Sequence, residues 1–152
     1  TFERKEKAKR AGLTQAEVIT LASIVDEETD NVAEMPKIAG MYINRLHIRM
    51  PLQADPTIKF ATKNFTAHRI YQKWLAVDSP YNTYKYRGLP PGPIRIPSVA
   101  AIDAVLNYVH HDYVYMCAKE DFSGTHNFAR TYEEHQVNAD KYARALNAHG
   151  IN

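Results

Sequence analysis

The sequence predicts an α+β fold, a single domain of several helices and a small β-hairpin, and three observations carry that prediction. Apolar residues recur at helical spacing in several stretches headed by capping residues. One β-prone run, Tyr113-Val114-Tyr115-Met116-Cys117-Ala118, is followed by a turn and a short return segment. No repeat, low-complexity tract or internal linker divides the chain, and its 152 residues, 45% hydrophobic and 24% charged, suffice for one buried core.

Residues 1–10 are charged and read as the end of a helix, so 1–12 are expected to be a remnant of a longer protein. Thr14 and Glu17 form a capping box, and Val18, Leu21, Ile24 and Val25 then mark a helix over 14–28. A second helix begins near Pro36, a first-turn residue, and buries Ile38, Ala39, Tyr42, Ile43 and Leu46; the two are expected to pair as a hairpin. Asp55-Pro56 reads as a cap followed by the first residue of a short helix over 56–62. Residues 78–97 hold five of the eight prolines and form a stiff, irregular loop. A third main helix near 98–108 buries Val99, Ile102, Val105 and Leu106. The run 113–118 and His126-Asn127-Phe128 then make a hairpin turned at 121–125, and Thr131 with Glu134 opens a terminal helix carrying Tyr132, His135, Tyr142 and Leu146.

The bulk numbers mainly exclude. Nineteen Lys and Arg against 17 Asp and Glu leave +2, too little for a nucleic-acid groove or a polybasic membrane face. The single Cys117 forbids an internal disulfide and is expected to be a buried structural thiol. No apolar run approaches the ~18 residues of a membrane span. No HExxH, Cys pair, GxSxG elbow or phosphate-binding glycine loop is present, and adjacent His110 and His111 cannot share a site; neither metal nor cofactor is expected.

What remains is carboxylate chemistry. Of the three acids Asp26-Glu27-Glu28, helical phase puts Glu28 alone on the face of Leu21, Ile24 and Val25. Desolvation there, with the helix C-terminal dipole, raises a carboxyl pKa and makes a general acid. The competing reading is a boundary residue whose carboxylate reaches water past the helix end, and Asp26 and Glu27 read as a solvated face. Asp55 is open to two roles, a helix cap or the second carboxylate of a glycosidase. The loop from Tyr81-Asn82-Thr83-Tyr84 to Gly88-Leu89-Pro90-Pro91-Gly92-Pro93 suits a sugar-binding wall, or a surface loop packed for stability.

Five strings in series then carry a resemblance: Ala22-Ser23-Ile24-Val25-Asp26-Glu27-Glu28-Thr29, Ile38-Ala39-Gly40-Met41-Tyr42-Ile43-Asn44-Arg45-Leu46, Met50-Pro51-Leu52-Gln53-Ala54-Asp55-Pro56-Thr57, Tyr81-Asn82-Thr83-Tyr84 and Gly88-Leu89-Pro90-Pro91-Gly92-Pro93-Ile94. From about residue 13 onward the chain resembles the YceG-like (MltG) family of endolytic peptidoglycan lytic transglycosylases. The resemblance implies a catalytic domain spanning 1–152 and cleavage of the β-1,4 bond between N-acetylmuramic acid and N-acetylglucosamine in nascent glycan strands, with 1,6-anhydro ends. It implies Glu28 as the catalytic residue, before Thr29 in the family's Glu-x-Glu-Thr motif, although Asp26 stands where relatives carry the first Glu. Asn44, Gln53, Asp55, Tyr81, Asn82 and Tyr84 are the expected substrate-binding residues. His126 joins them through a looser likeness to a Gly-Gly-His-x-Phe element. The family context implies glycan strands and peptidoglycan synthases as partners, no nucleic acid, and an inner-membrane protein working on the periplasmic side through an N-terminal anchor absent from this chain. A two-carboxylate muramidase and a non-catalytic glycan-binding module are the rival readings.

Overall fold

A computed structural model describes residues 2–66 and 70–150; Thr1, at the head of the charged N-terminal segment, and the last two residues of the expected domain lie outside them. In chain order the helices are α1 (Phe2–Ala11), α2 (Gln15–Glu28), α3 (Met35–His47), α4 (Asp55–Thr62), α5 (Val99–Leu106) and α6 (Tyr132–Ala148). Short 3-10 turns cover Val32–Glu34 and Gln72–Ala76, and strands β1 (Tyr115–Ala118) and β2 (His126–Ala129) form one antiparallel hairpin. Among the described residues no helix is long and apolar enough to cross a membrane.

The middle of the domain is α2, which packs against α1, α3, α4 and α5. Its capping box is complete: Thr14 Oγ1 accepts from the Glu17 amide at 3.1 Å, and Glu17 Oε1 accepts from the Thr14 amide at 2.9 Å. Leu21, Ala22, Ile24 and Val25 are wholly buried, as are Ile38, Ala39 and Ile43 of α3 and Ala101 and Val105 of α5. Val99 departs from its expected burial and is 62% exposed. It is the first residue of a helix capped by Ser98, and the small Ala101 and Ala104 take the core face and let α5 approach α2 closely.

That close approach extends to Gly40 on α3. A Cβ there would stand 2.2 Å from the Val109 carbonyl oxygen and 3.0 Å from His111 Nε2. The Val109 segment is itself held by its amide donating to the Pro36 carbonyl at 3.0 Å. Gly40→Ala therefore forces α3 and the chain after α5 apart, and the expected loss is ~1–3 kcal/mol in a urea melt. A loss below about 0.5 kcal/mol would mean that the segment yields freely.

The second layer is the hairpin with α6 laid on it. Its register pairs Tyr115 with Ala129 and Ala118 with His126. At α6 the capping is one-sided, with Thr131 Oγ1 accepting from the Glu134 amide at 3.2 Å. Two α3 side chains join the layers. Asn44 Nδ2 donates to the carbonyls of His111 at 2.7 Å and Tyr113 at 2.9 Å. Arg45, 5% exposed, donates through Nε to Val114 at 2.6 Å and through Nη1 to Pro51 at 2.8 Å and Leu52 at 3.1 Å.

Candidate active site

Between the helical core and the hairpin layer lies a cleft of about 510 Å³. Glu28 borders it and also borders two further hollows of about 390 and 240 Å³. The carboxylate reaches this junction because α2 ends there. Thr29 turns to extended geometry, φ −154° and ψ 146°, and the chain leaves the helix axis one residue after the acid.

Glu28 is part-buried and accepts a hydrogen bond on Oε1 from the hydroxyl of Tyr42, itself 2% exposed on α3. Its pKa is raised from 4.5 to about 7. Burial is the main cause; the Tyr42 hydrogen bond opposes it, the Asp55 charge adds to it, and the Lys59 charge opposes it. Burial, followed by the Glu28 charge, pushes the Tyr42 phenol well above its ordinary value, so it remains a donor.

Of the two neighbouring acids, only Asp26 departs from the expected solvated face. Asp26 has a side chain only 11% exposed and accepts from the Ser98 amide at 2.7 Å, tying the end of α2 to the start of α5. Glu27 pairs with Arg95 at 3.0 Å at the surface.

Asp55 does not cap α4. The cap position belongs to Ala54, whose amide donates to Thr83 Oγ1 at 2.9 Å and whose carbonyl accepts from Thr57 Oγ1 at 2.7 Å. Asp55 is the first helical residue, and Pro56 follows it in the first turn. Its carboxylate is thereby free to face the cleft, where it accepts from the Tyr84 hydroxyl at 2.6 Å. Burial raises the Asp55 pKa against the opposing pull of Tyr84 and Lys59.

Of the residues singled out in the sequence, Glu28, Gln53, Asp55, Tyr84 and His126 line the cleft together. Asn44, Tyr81 and Asn82 are not among its lining residues. Asn44 holds the 111–113 backbone, and the Tyr81 ring packs on Phe60 with centroids 4.8 Å apart. Asn82 is wholly buried, with its amide donating to Leu75 and Val77 and its Oδ1 accepting from the amides of Tyr84 and Lys85. The 81–93 loop thus contributes Tyr84 to the wall and otherwise ties itself to α4 and to the 75–77 segment.

Sequence reasoning missed the facing wall: Tyr115 and Cys117 from β1, with Tyr132, His135 and Tyr142 from α6. The sequence marks a terminal helix carrying Tyr132, His135 and Tyr142, with nothing local to say that these rings look into a cleft. It also missed Tyr42 and Arg45 as site residues. Tyr42 was read as core, and an α2–α3 hairpin carrying an acid at its open end was the available signal. Cys117 is only half-buried and borders the cleft, so the expected buried thiol is corrected. It lies on a strand whose residues are all part-exposed, and burial still pushes the thiol up to about 11, which keeps it protonated.

This geometry agrees with the comparisons with known proteins. The family model described as the YceG-like family matches residues 1–141. The endolytic murein transglycosylase of Bacillus subtilis (strain 168) is 38% identical over 143 residues, covering 94% of this chain and 39% of that protein. The protein of the same name from Streptococcus pneumoniae (strain D39) is 33% identical over 141 residues, covering 90% of this chain and 25% of that one. The chain therefore spans about two fifths and one quarter of these relatives. The crystal structure of a YceG-like protein from Listeria monocytogenes superposes with a TM-score of 0.78 at 34% identity, covering 88% of this chain and 43% of that one. A family model that matches most of the chain, relatives above 30% identical over at least nine tenths of it and a shared fold with the Listeria protein leave one assignment: the chain belongs to the YceG-like family.

Proposed function

We propose that this chain is the catalytic domain of an endolytic murein transglycosylase and that Glu28 is its single acid/base. The observation that carries the proposal is a carboxyl whose pKa is raised to about 7 at the junction of three hollows. An enzyme that cuts within a strand needs room for sugars on both sides of its acid, and a dead-end pocket would not supply it.

In the proposed reaction, protonated Glu28 gives its proton to the glycosidic oxygen as the bond to muramyl C1 breaks. The N-acetylglucosamine unit leaves with a free 4-hydroxyl, and C1 acquires oxocarbenium character. The muramyl 6-hydroxyl attacks C1, and its proton passes to the Glu28 carboxylate, which regenerates the acid. No water is consumed. Asp55, held by Tyr84, and Gln53 line the same cleft as Glu28; in this reading the Asp55 carboxylate favours the cationic C1 and Gln53 orients sugar polar groups. The same reading extends to extracytoplasmic action at the bacterial inner membrane beside peptidoglycan synthases, which cell fractionation and co-purification of the full-length protein would test.

Products decide the chemistry. Digestion of purified glycan strands is expected to give fragments lacking one water relative to hydrolysis products and carrying no reducing muramyl end. Hydrated reducing ends would instead mean a hydrolase in which Asp55 activates water.

The pH profile gives a second test. Donation needs protonated Glu28, so kcat/KM is expected to fall as pH rises through about 7, by about fivefold between pH 7 and 8. Because the carboxylate of the second step is made by the first, Glu28 imposes no acidic limb. A bell whose acidic limb disappears in Asp55→Asn would point to paired carboxylates.

A further inference from the structure

The geometry points to Glu34 as a positioning residue that fixes the ring of His126 so that His126 Nε2 accepts a hydrogen bond from a hydroxyl or acetamido N–H of an aminosugar in the cleft. This rests on the proposed glycan substrate and adds to it a two-residue device built on the connection between α2 and α3.

Glu34 ends the 3-10 turn Val32–Glu34, six residues beyond Glu28 in the chain. Its carboxylate grips His126 at two points: Oε2 accepts from the His126 backbone amide at 3.0 Å, and Oε1 meets Nδ1 at 2.6 Å. The side chains are only 12% and 9% exposed, so the pair is well shielded from water. An ionised carboxylate can only accept, which makes Nδ1 the protonated nitrogen. In the neutral ring Nε2 then carries the lone pair. No protein hydrogen bond occupies Nε2 among the described residues, whereas His126 borders both the main cleft and the adjoining hollow that Glu28 also borders. A fixed acceptor is therefore presented on the hairpin wall, facing the space that the acid serves. Nothing about holding the hairpin in place requires a particular ring tautomer, since the backbone amide bond alone pins β2 to the 3-10 turn.

Glu34→Gln separates the two roles. Gln can keep the backbone contact with its carbonyl oxygen, but its amide nitrogen then donates to Nδ1, which drives the ring proton to Nε2 and turns the acceptor into a donor. The experiment is nitrogen-15 NMR of the histidine rings at about pH 8, where an ordinary imidazole is neutral, with chitotetraose, a β-1,4 strand of N-acetylglucosamine, as probe. In the wild type Nε2 should be unprotonated, and chitotetraose should move its signal far more than that of Nδ1. Glu34→Gln should melt within about 2 °C of wild type, show the other tautomer, and bind chitotetraose about tenfold more weakly, the size of one ordinary hydrogen bond. A tautomer that flips with unchanged affinity overturns the proposal, and so does a wild-type ring protonated at Nε2. Should the variant fail to fold, the wild-type titration decides alone: an Nε2 signal unmoved at saturation overturns the assignment. Chitotetraose that binds in the cleft and shifts His135 but spares His126 sinks the pair and leaves the transglycosylase reading standing. Hydrated products from the digest would do the reverse.

Discussion

Glu28→Gln is expected to abolish glycan cleavage, by at least about a thousandfold, while making the protein more stable at pH 8. The first effect follows from removing the only group proposed to give and take the proton. The second follows from linkage. The folded pKa of about 7 lies above the ordinary 4.5, so the folded state binds this proton more tightly than the unfolded chain. The favourable contribution is complete below about pH 4.5 and is lost as pH rises through 7. At pH 8 the wild type carries a poorly solvated charge that costs on the order of 2–3 kcal/mol. Gln has nearly the same shape, its carbonyl can still accept from Tyr42, and it carries no charge. Denaturation of both proteins at pH 5 and pH 8 should give a stability difference that grows with pH in favour of the variant. A difference independent of pH would mean that the carboxylate lies in water and that its role as an acid is misassigned.

Asn82→Ala should be the most destabilising change in the 81–93 loop, costing ~2–4 kcal/mol and lowering the melting temperature by roughly 10 °C. The substitution removes four hydrogen bonds made by a wholly buried side chain: the Leu75 carbonyl and the Tyr84 amide lose their Asn82 partner, while the Val77 carbonyl keeps the Ser79 amide and the Lys85 amide keeps the Asn82 carbonyl. Catalysis per folded molecule should change little, because Asn82 does not border the cleft. Tyr84→Phe is the complementary probe: it keeps the ring, removes the hydroxyl bonded to Asp55, and should reduce turnover with a smaller effect on melting. An Asn82→Ala protein that melts like wild type yet cleaves poorly would return this residue to the substrate wall.

The contrast between Asn82 and Glu28 marks how far the chain could be read in one dimension. Helix starts were legible because they are local: Thr14 with Glu17, Ser98 and Thr131 each act within four residues. The face of Glu28 was legible because phase on one helix depends only on that helix. Asn82 looked like a sugar ligand because amides and phenols make up both sugar sites and loop braces, and only the fold reveals whether an amide meets its own backbone or open space. Asp55 misled in the opposite direction. Asp-Pro satisfies a local capping rule, but the rule was displaced by a long-range bond from the Ala54 amide to Thr83, 29 residues away. Glu34 was illegible for the same reason, its partner His126 lying 92 residues distant, and so was the α6 wall, whose facing residues come from the other end of the chain.

The two sides of the cleft differ in how firmly they are embedded. Glu28 stands on the helix that carries Leu21, Ala22, Ile24 and Val25, all sealed from solvent, whereas α6 has one buried residue, Leu146, and β1 has none. Opening free energies track buried apolar contact, so amide exchange in α2 should approach the global unfolding limit while α6 and the hairpin exchange sooner through partial opening. The acid then keeps its place and its proton affinity while the facing wall adjusts. Under the proposed function, a strand carrying peptide stems of varying bulk would pass such a cleft without disturbing the carboxyl, because accommodation falls to the softer side.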